Sequence, residues 1–112
     1  MPCIQTKVNV AISPEQEARL KTSFGELMPL LYKTEDWLML SFEDHCRLYF
    51  KGSGEAAAFV EVKLYGAADR GAYNKMTAAV TALLNKELNI PSERIYVKYE
   101  EVKYWGYDGS NF

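Results

Sequence analysis

This chain has little of what disulfide frameworks and metal sites require. It contains only two cysteines, Cys3 and Cys46, and one histidine among 112 residues. Two cysteines do not make a disulfide framework, and no group of residues has the spacing of metal ligands. The sequence therefore predicts no metal site, and it favours a reduced, cytoplasmic protein. Export by an unconventional route stays an open alternative, because such export leaves no mark in a sequence.

Strong net charge and long apolar runs are also absent. The formal net charge is −2 and the pI is about 5.4, which gives no electrostatic reason to expect binding to nucleic acid or to an anionic membrane. No apolar run approaches the length of a membrane span or of a signal-peptide core. With 48% hydrophobic residues, residues 1–112 are expected to form one globular domain with its own core.

The two halves of the chain, about 1–55 and 56–112, repeat one order of patterns, strand, helix and strand. The predicted elements are a strand at 4–10, a helix at 14–32, a strand at 37–43, a short strand at 48–50, a strand at 58–65, a helix at 71–88 and a strand at 94–102. Ser13 and Gln16 have the spacing of a capping box, with Pro14 at the first helical position. Pro29 is expected to kink this helix or to end it early.

Two βαβ units with right-handed crossovers place both helices on the same side of a four-stranded mixed sheet, an α+β fold. No helix remains to cover the other side of the sheet. That face is predicted to carry Gln5, Lys7, Glu61, Lys63, Tyr96, Lys98 and Glu100, with Trp37, Met39, Phe59 and Tyr65 near its ends. We expect several such sheets to associate in a symmetric oligomer around a wet centre. A monomer with one solvated sheet face is the alternative.

The second residue, Pro2, follows the initiator Met1 directly. Removal of Met1 would leave a free prolyl amine at the start of a predicted strand, which holds it in place. An α-amino group has an ordinary pKa of about 7.7–8.0, and burial or a nearby cation lowers this value further. Such an amine can act as a general base without His, Ser or Cys. The alternative is that Pro2 only protects the chain end.

Several short motifs, taken in their order and spacing, resemble the macrophage migration inhibitory factor family of the tautomerase superfamily. The motifs are Met1-Pro2, Tyr32-Lys33, Gly52-Ser53-Gly54-Glu55, Gly66, Pro91 to Val97 and Trp105 to Phe112. The resemblance covers essentially the whole chain. It implies a homotrimer with three active sites between subunits, which interconvert keto and enol forms of phenylpyruvate-like α-keto acids without a cofactor.

The resemblance also implies a role for particular residues. Pro2 would carry the proton, and Lys33 would bind the substrate carboxylate and help to keep the proline neutral. Tyr96 would come from the neighbouring subunit, together with Lys98. The remaining substrate-binding residues would be Leu64 and Tyr65, through backbone N–H groups, and Trp105, Tyr107 and Phe112, as an aromatic pocket.

The chain departs from the family pattern at four places. Tyr65 stands where isoleucine is common, Lys98 where asparagine is common, and Tyr107 where the best-known member has tryptophan. Residues 57–60 read Ala-Ala-Phe-Val, so the Cys-x-x-Cys motif of some members, and its thiol–disulfide exchange, do not apply here.

Other interpretations of the same residues remain. Lys33 could be a cation at a helix C-terminus, and Tyr96 could be ordinary sheet packing. The adjacent Asp44, His45 and Cys46 do not predict a nucleophilic triad, because adjacency does not give triad geometry. The alternative function is a secreted, cytokine-like protein that binds a receptor and keeps the tautomerase pocket as a remnant.

Overall fold

The computed structural model describes all residues, 1–112, and has a four-stranded sheet of order β2-β1-β3-β4. Its elements are β1 (Pro2–Val8), α1 (Pro14–Leu27), β2 (Met39–Glu43), β3 (Ala58–Tyr65), α2 (Arg70–Leu88), β4 (Ile95–Val102), β5 (Gly106–Tyr107) and β6 (Ser110–Asn111). Strand β1 runs parallel to β2 and antiparallel to β3, and β3 runs parallel to β4. The predicted mixed sheet with two βαβ units is confirmed.

Helix α1 begins at the predicted capping box. The Ser13 hydroxyl accepts a hydrogen bond from the Gln16 N–H at 3.1 Å, and the Gln16 side chain accepts one from the Ser13 N–H at 2.9 Å. These two bonds satisfy donors that an uncapped helix start leaves free. The α-helix ends at Leu27 and a 3₁₀ turn, Met28–Leu31, contains Pro29. The early end predicted from Pro29 is therefore confirmed.

Both helices pack on one face of the sheet and close a single core. Residues of β1 and β3 alternate between buried and partly exposed along each strand. The fully buried side chains include Ile4, Val60 and Val62 from the sheet, Phe24 from α1 and Met76 from α2. Burial of this apolar surface is the main stabilising contribution to the fold.

The opposite face of the sheet has no covering layer within the chain. Its side chains are partly or fully exposed, namely Cys3, Gln5, Lys7, Met39, Phe59, Glu61, Lys63, Tyr65, Tyr96, Lys98 and Glu100. The prediction of an uncovered, largely polar face is thus confirmed. Charged groups pair on it, because Lys98 Nζ lies 2.8 Å from Glu100 and 3.8 Å from Glu61.

The predicted bounds of three strands were wrong, and one predicted strand does not form. Strand β1 begins at Pro2 and ends at Val8, instead of spanning 4–10. Residues Glu35–Trp37 form a 3₁₀ turn, so β2 begins at Met39 and Trp37 is outside the sheet. Residues Ser92–Arg94 form a similar turn before β4. No strand forms at 48–50, where Phe50 makes only an isolated bridge with Ser53 across a turn.

The buried guanidinium of Arg94 holds the loop between β2 and β3. It donates hydrogen bonds to the carbonyl oxygens of Phe50, Ser53, Glu55 and Ala56, at 2.9–3.0 Å. Four backbone acceptors of one loop thus share a single side-chain donor, in addition to the N–H groups of Phe50 and Ser53 and the Asn9 amide that also donate within this loop. The Phe50 ring, positioned in this way, packs edge-on against Tyr96 with ring centroids 4.8 Å apart.

Neither helix of the fold has the length and apolar composition needed to cross a membrane.

Candidate active site at the start of strand β1

One end of the sheet brings together the start of β1, the end of β3 and the residues that follow α1. Pro2 lies opposite Leu64 in the antiparallel pairing of β1 and β3, and it is buried. The Leu64 side chain is fully buried in the core, so Leu64 borders this region only through its backbone. The expected neighbourhood of Pro2, Leu64 and Tyr65 therefore exists within one chain.

Lys33 reaches this end of the sheet from the turn that follows α1. Its backbone N–H donates to the Met28 carbonyl oxygen at 3.1 Å. Its ammonium Nζ donates to the carbonyl oxygen of Tyr65 at 3.2 Å. The lysine is thus fixed at both ends, and its charge lies beside the last residue of β3. The ammonium group has only this neutral backbone carbonyl as a partner. Its positive charge therefore has no counter-ion within the chain.

The terminal amine of the chain lies close to Lys33. Burial lowers the pKa of the Met1 α-amino group from its ordinary value, and the positive charge of Lys33 lowers it further. Both effects disfavour the protonated form. While Met1 is present, the Pro2 nitrogen is an amide without basicity. Removal of Met1 would make Pro2 the terminal amine in a more buried position.

Met1 also accepts a hydrogen bond from a backbone N–H of the site. Its carbonyl oxygen accepts a hydrogen bond from the Tyr65 N–H at 3.1 Å. Without Met1 this N–H has no such partner and points toward the space beside the Pro2 nitrogen. A free backbone N–H next to a base can bind a carboxylate or a developing enolate oxygen.

A cleft of about 620 Å³ opens beside Pro2. It is lined by Met1, Pro2, Cys3, Gln5, Asp36, Trp37, Leu38, Met39, Lys63, Trp105, Gly106 and Tyr107. A second cleft of about 380 Å³ is lined only by hydrophobic and aromatic residues, namely Met1, Trp37, Tyr65, Tyr107 and Phe112. Met1, Trp37 and Tyr107 lie in the walls of both clefts, so removal of Met1 would enlarge both.

Aromatic side chains build the far wall of these clefts. The rings of Trp37 and Tyr107 meet edge to face at 5.1 Å, and those of Tyr65 and Phe112 lie 5.5 Å apart. Tyr107 and Phe112 stack at 6.4 Å. Tyr107 lies on strand β5 of the short β5–β6 hairpin, and Phe112 directly follows strand β6. The Phe112 N–H donates to the Trp105 carbonyl oxygen at 3.0 Å and closes the hairpin. Such a wall suits the ring of an aromatic ligand.

Tyr96 and Lys98 lie elsewhere in the chain. Tyr96 pairs with Phe59, five residues before Leu64 on β3, which is about 16 Å away at the rise of a strand. Its side chain is 61% exposed. A hydrogen bond from Lys98 holds the pKa of Glu100 below its ordinary value, and the same contact raises the pKa of Lys98. Within one chain, therefore, neither residue joins Pro2 and Lys33.

Sequence analysis missed several residues of the larger cleft. Trp37 was expected on the sheet, but the turn at Glu35–Trp37 directs it to Tyr107 instead. Lys63 pairs with Cys3, the residue after Pro2, and its ammonium donates to Gln5 Oε1 at 2.7 Å. The alternation of β3 placed Lys63 on the uncovered face of the sheet. Its position beside Pro2 depends on the register between β1 and β3, which the sequence does not give.

A further groove lies away from this site. A groove of about 690 Å³ lies between α1 and β2, and neither Pro2 nor Lys33 lines it. No group of three or more His, Cys, Asp or Glu side chains is arranged to hold a metal ion.

Comparison with known proteins identifies the family. A family model described as "Macrophage migration inhibitory factor (MIF)" matches residues 1–112. The chain therefore belongs to the macrophage migration inhibitory factor family, which is part of the tautomerase superfamily. A search of curated proteins gives no significant match.

Solved structures of family members share the fold over nearly the whole chain. MIF2 of Leishmania major is 37% identical, with a TM-score of 0.94, covering 100% of this chain and 97% of its own. A homologue from Prochlorococcus marinus is 30% identical, with a TM-score of 0.90 and 98% of both chains covered. Macrophage migration inhibitory factor of Toxoplasma gondii is 25% identical, with a TM-score of 0.89, covering 98% of this chain and 99% of its own.

Proposed function

We propose that this chain is a cofactor-independent keto–enol tautomerase of phenylpyruvate-like α-keto acids, with the amine of Pro2 as the general base after removal of Met1. One observation carries the proposal: Pro2 starts a strand within a site that contains an uncompensated cation, Lys33, and an apolar aromatic cleft. Membership of the tautomerase superfamily supports an isomerase. The substrate class is the one that the family resemblance implies, and an aromatic cleft beside a cation is compatible with it.

The proposed reaction moves one proton and leaves the composition of the substrate unchanged. The neutral amine of Pro2 takes a proton from the carbon next to the ketone and becomes a cation. The electrons of the broken C–H bond form an enolate, whose charge is on the former ketone oxygen. Pro2 then gives the proton to this oxygen, which yields the enol and restores the neutral amine.

The substrate carboxylate would be bound by Lys33 and by the Tyr65 N–H that Met1 occupies while it is present. The two donors lie near each other, because Lys33 Nζ contacts the carbonyl oxygen of Tyr65 and the N–H is that of the same residue. A charged donor combined with a backbone donor makes a strong carboxylate site. The aromatic ring of the substrate would then lie against Trp37, Tyr107 and Phe112.

Tyr96 and Lys98 enter the proposal through a second copy of the chain. The family is oligomeric, and the uncovered sheet face offers the surface through which copies could associate in a homotrimer. Tyr96, at the opposite end of β4 from the Pro2 site, would reach the site of a neighbour. The mass of the assembly in solution, measured by light scattering, tests this part independently of activity.

Phenylpyruvate in deuterated buffer gives a direct test of the proposed function. The processed protein should accelerate exchange of the protons next to the ketone, as followed by NMR. The variant Pro2→Gly should lower the rate of this proton exchange at least about 100-fold, the usual contribution of a general base. Unchanged exchange by the Pro2→Gly variant would contradict the assignment of Pro2 as the base.

Family membership is also compatible with the second candidate function, which is that of a secreted, cytokine-like protein that binds a receptor. This function would depend on the outer surface and on export by an unconventional route. Binding of a receptor that survives Pro2→Gly, together with an absence of exchange in the unmodified protein, would favour it over the tautomerase.

A further inference from the structure

Tyr32, the residue before Lys33, has an unfavourable backbone conformation. Its φ and ψ are 59° and 33°, in the left-handed region. This region suits glycine, whereas a bulky residue is uncommon there. A non-glycine residue remains in it only where surrounding contacts hold it, and such positions are concentrated at functional sites. The contacts of Tyr32 are therefore of interest.

The hydroxyl of Tyr32 supplies one such contact. It donates a hydrogen bond to Asp69 Oδ2 at 2.8 Å. The other carboxylate oxygen of Asp69 accepts the N–H of Ala72 at 2.8 Å and so caps helix α2. The pKa of Asp69 is lowered, first by the Ala72 N–H and then by the Tyr32 hydroxyl. Asp69 is thus a charged acceptor at neutral pH, already fixed by the helix that it caps.

The segment from Tyr65 to Asp69 is held at both ends by two adjacent residues. Lys33 Nζ donates to the Tyr65 carbonyl oxygen at its start, and Tyr32 donates to Asp69 at its end. Because Tyr32 and Lys33 are neighbours, a rotation of the Tyr32 backbone out of the left-handed region would turn the Lys33 side chain away from Tyr65. The position of the ammonium thus depends on the conformation of the preceding residue.

We propose that Tyr32 is a positioning residue, whose hydrogen bond to Asp69 holds Lys33 in place for the substrate carboxylate. This inference rests on the proposed function of Lys33, but it concerns two residues that do not line either cleft beside Pro2. Tyr32 touches no substrate and acts only through Lys33.

The variant Tyr32→Phe removes only the hydroxyl. Binding of the carboxylate stabilises the bound substrate and the transition state equally. Its loss therefore raises KM and leaves kcat nearly unchanged. KM for phenylpyruvate should rise about 2- to 10-fold, the range of one hydrogen bond. Tyr104→Phe is the matched control, because Tyr104 is 71% exposed and lines neither cleft. An unchanged KM in Tyr32→Phe would overturn the inference.

The partner and the route of the effect can be tested by double variants. Asp69→Ser keeps a helix-capping oxygen but is too short to reach the Tyr32 hydroxyl. It should raise KM as Tyr32→Phe does, and the double variant should be no worse than either single one. In a Lys33→Met background, Tyr32→Phe should have no further effect. Independent, multiplicative effects in either combination would contradict positioning through Lys33.

A measurement without substrate separates this inference from the proposed function. An amine-reactive reagent, followed by peptide mass spectrometry, reports how freely Lys33 reacts. Tyr32→Phe should increase the labelling rate of Lys33 and leave that of Lys86 unchanged. If the unmodified protein turns over no phenylpyruvate but Lys33 labelling responds, the positioning stands and the proposed function fails. If the protein is active but labelling is unchanged, the positioning fails and the function stands.

Discussion

The backbone N–H of Tyr65 donates to the carbonyl oxygen of Met1 at 3.1 Å. One hydrogen bond thus joins the first residue of the chain to the last residue of β3. The contact uses the donor that the proposed mechanism requires for substrate, and Met1 also lines both clefts. Met1 therefore obstructs the site in two ways besides converting the Pro2 nitrogen to an amide.

A protein with one extra residue before Pro2 should bind substrate poorly. This loss of affinity is separate from the loss of activity that follows when the Pro2 nitrogen becomes an amide. Insertion of Ala between Met1 and Pro2 gives an Ala-Pro start after processing, and its carbonyl can accept the Tyr65 N–H. We expect the affinity for phenylpyruvate, measured by calorimetry, to fall about 10-fold relative to the Pro2→Gly variant, because the Tyr65 N–H is no longer free to bind the substrate. Equal affinities would show that the first residue does not obstruct the site.

Replacement of Lys33 by Met should change both substrate binding and the pH profile. Loss of the charged donor should raise KM about 10-fold or more. Burial and then Lys33 lower the pKa of the Met1 amine. The same two causes should act on the Pro2 amine after processing, so without Lys33 its pKa should rise toward the ordinary 7.7–8.0. Since the neutral amine is the base, activity is lost as pH falls through this pKa, and the acid limb of kcat/KM should move to higher pH.

The control for this experiment is Lys86→Met, which removes an exposed cation at the end of α2. Its kcat/KM profile should overlay that of the unmodified protein. An acid limb that stays in place in Lys33→Met would contradict electrostatic coupling between Lys33 and the terminal amine.

Trp37 should determine the preference for aromatic substrates. Its ring lies edge-on to Tyr107 and lines both clefts. The variant Trp37→Ala should lower kcat/KM for phenylpyruvate about 10-fold, through lost apolar contact, and change that for an aliphatic α-keto acid little. NMR exchange rates for the two substrates give this ratio. An equal loss for both substrates would place Trp37 in a structural role.

Arg94 should contribute to stability more than any exposed cation does. The variant Arg94→Met leaves the carbonyl oxygens of Phe50, Ser53, Glu55 and Ala56 without this donor. We expect the free energy of unfolding in urea to fall by about 3 kcal/mol. Arg47→Met, at an exposed position of the same loop, should change it by less than about 0.5 kcal/mol. Equal losses would refute the specific role of Arg94.

The sequence predicted the fold well because its signals were local and periodic. Neighbouring residues were enough to predict three features, namely the capping box at Ser13 and Gln16, the early helix end at Pro29 and the alternation of β3. The 3₁₀ turn at Glu35–Trp37 was missed, because Trp37, Leu38 and Met39 continue the apolar pattern of the strand into that turn. Periodicity alone does not mark where a strand begins.

The site was only partly predictable for a different reason. Lys33 contacts Tyr65 and Pro2 pairs with Leu64, whereas the contribution of Met1 depends on a backbone hydrogen bond across two strands. The hairpin of β5 and β6 was not predicted, although Asp108 and Gly109 at its turn are a common hairpin signal. Lys63 and Trp37 entered the cleft through strand register and turn geometry, which residue patterns do not specify.

The central claim, that the Pro2 amine is the base, is tested most directly by titration of that amine. Protein shown by intact mass to lack Met1 would be labelled with ¹⁵N at proline, and the amine pKa read by NMR. The account predicts a pKa below the ordinary 7.7–8.0, equal to the pKa of the acid limb of kcat/KM for the free enzyme. An amine that titrates at or above the ordinary value, or a rate that does not follow its titration, would contradict the account.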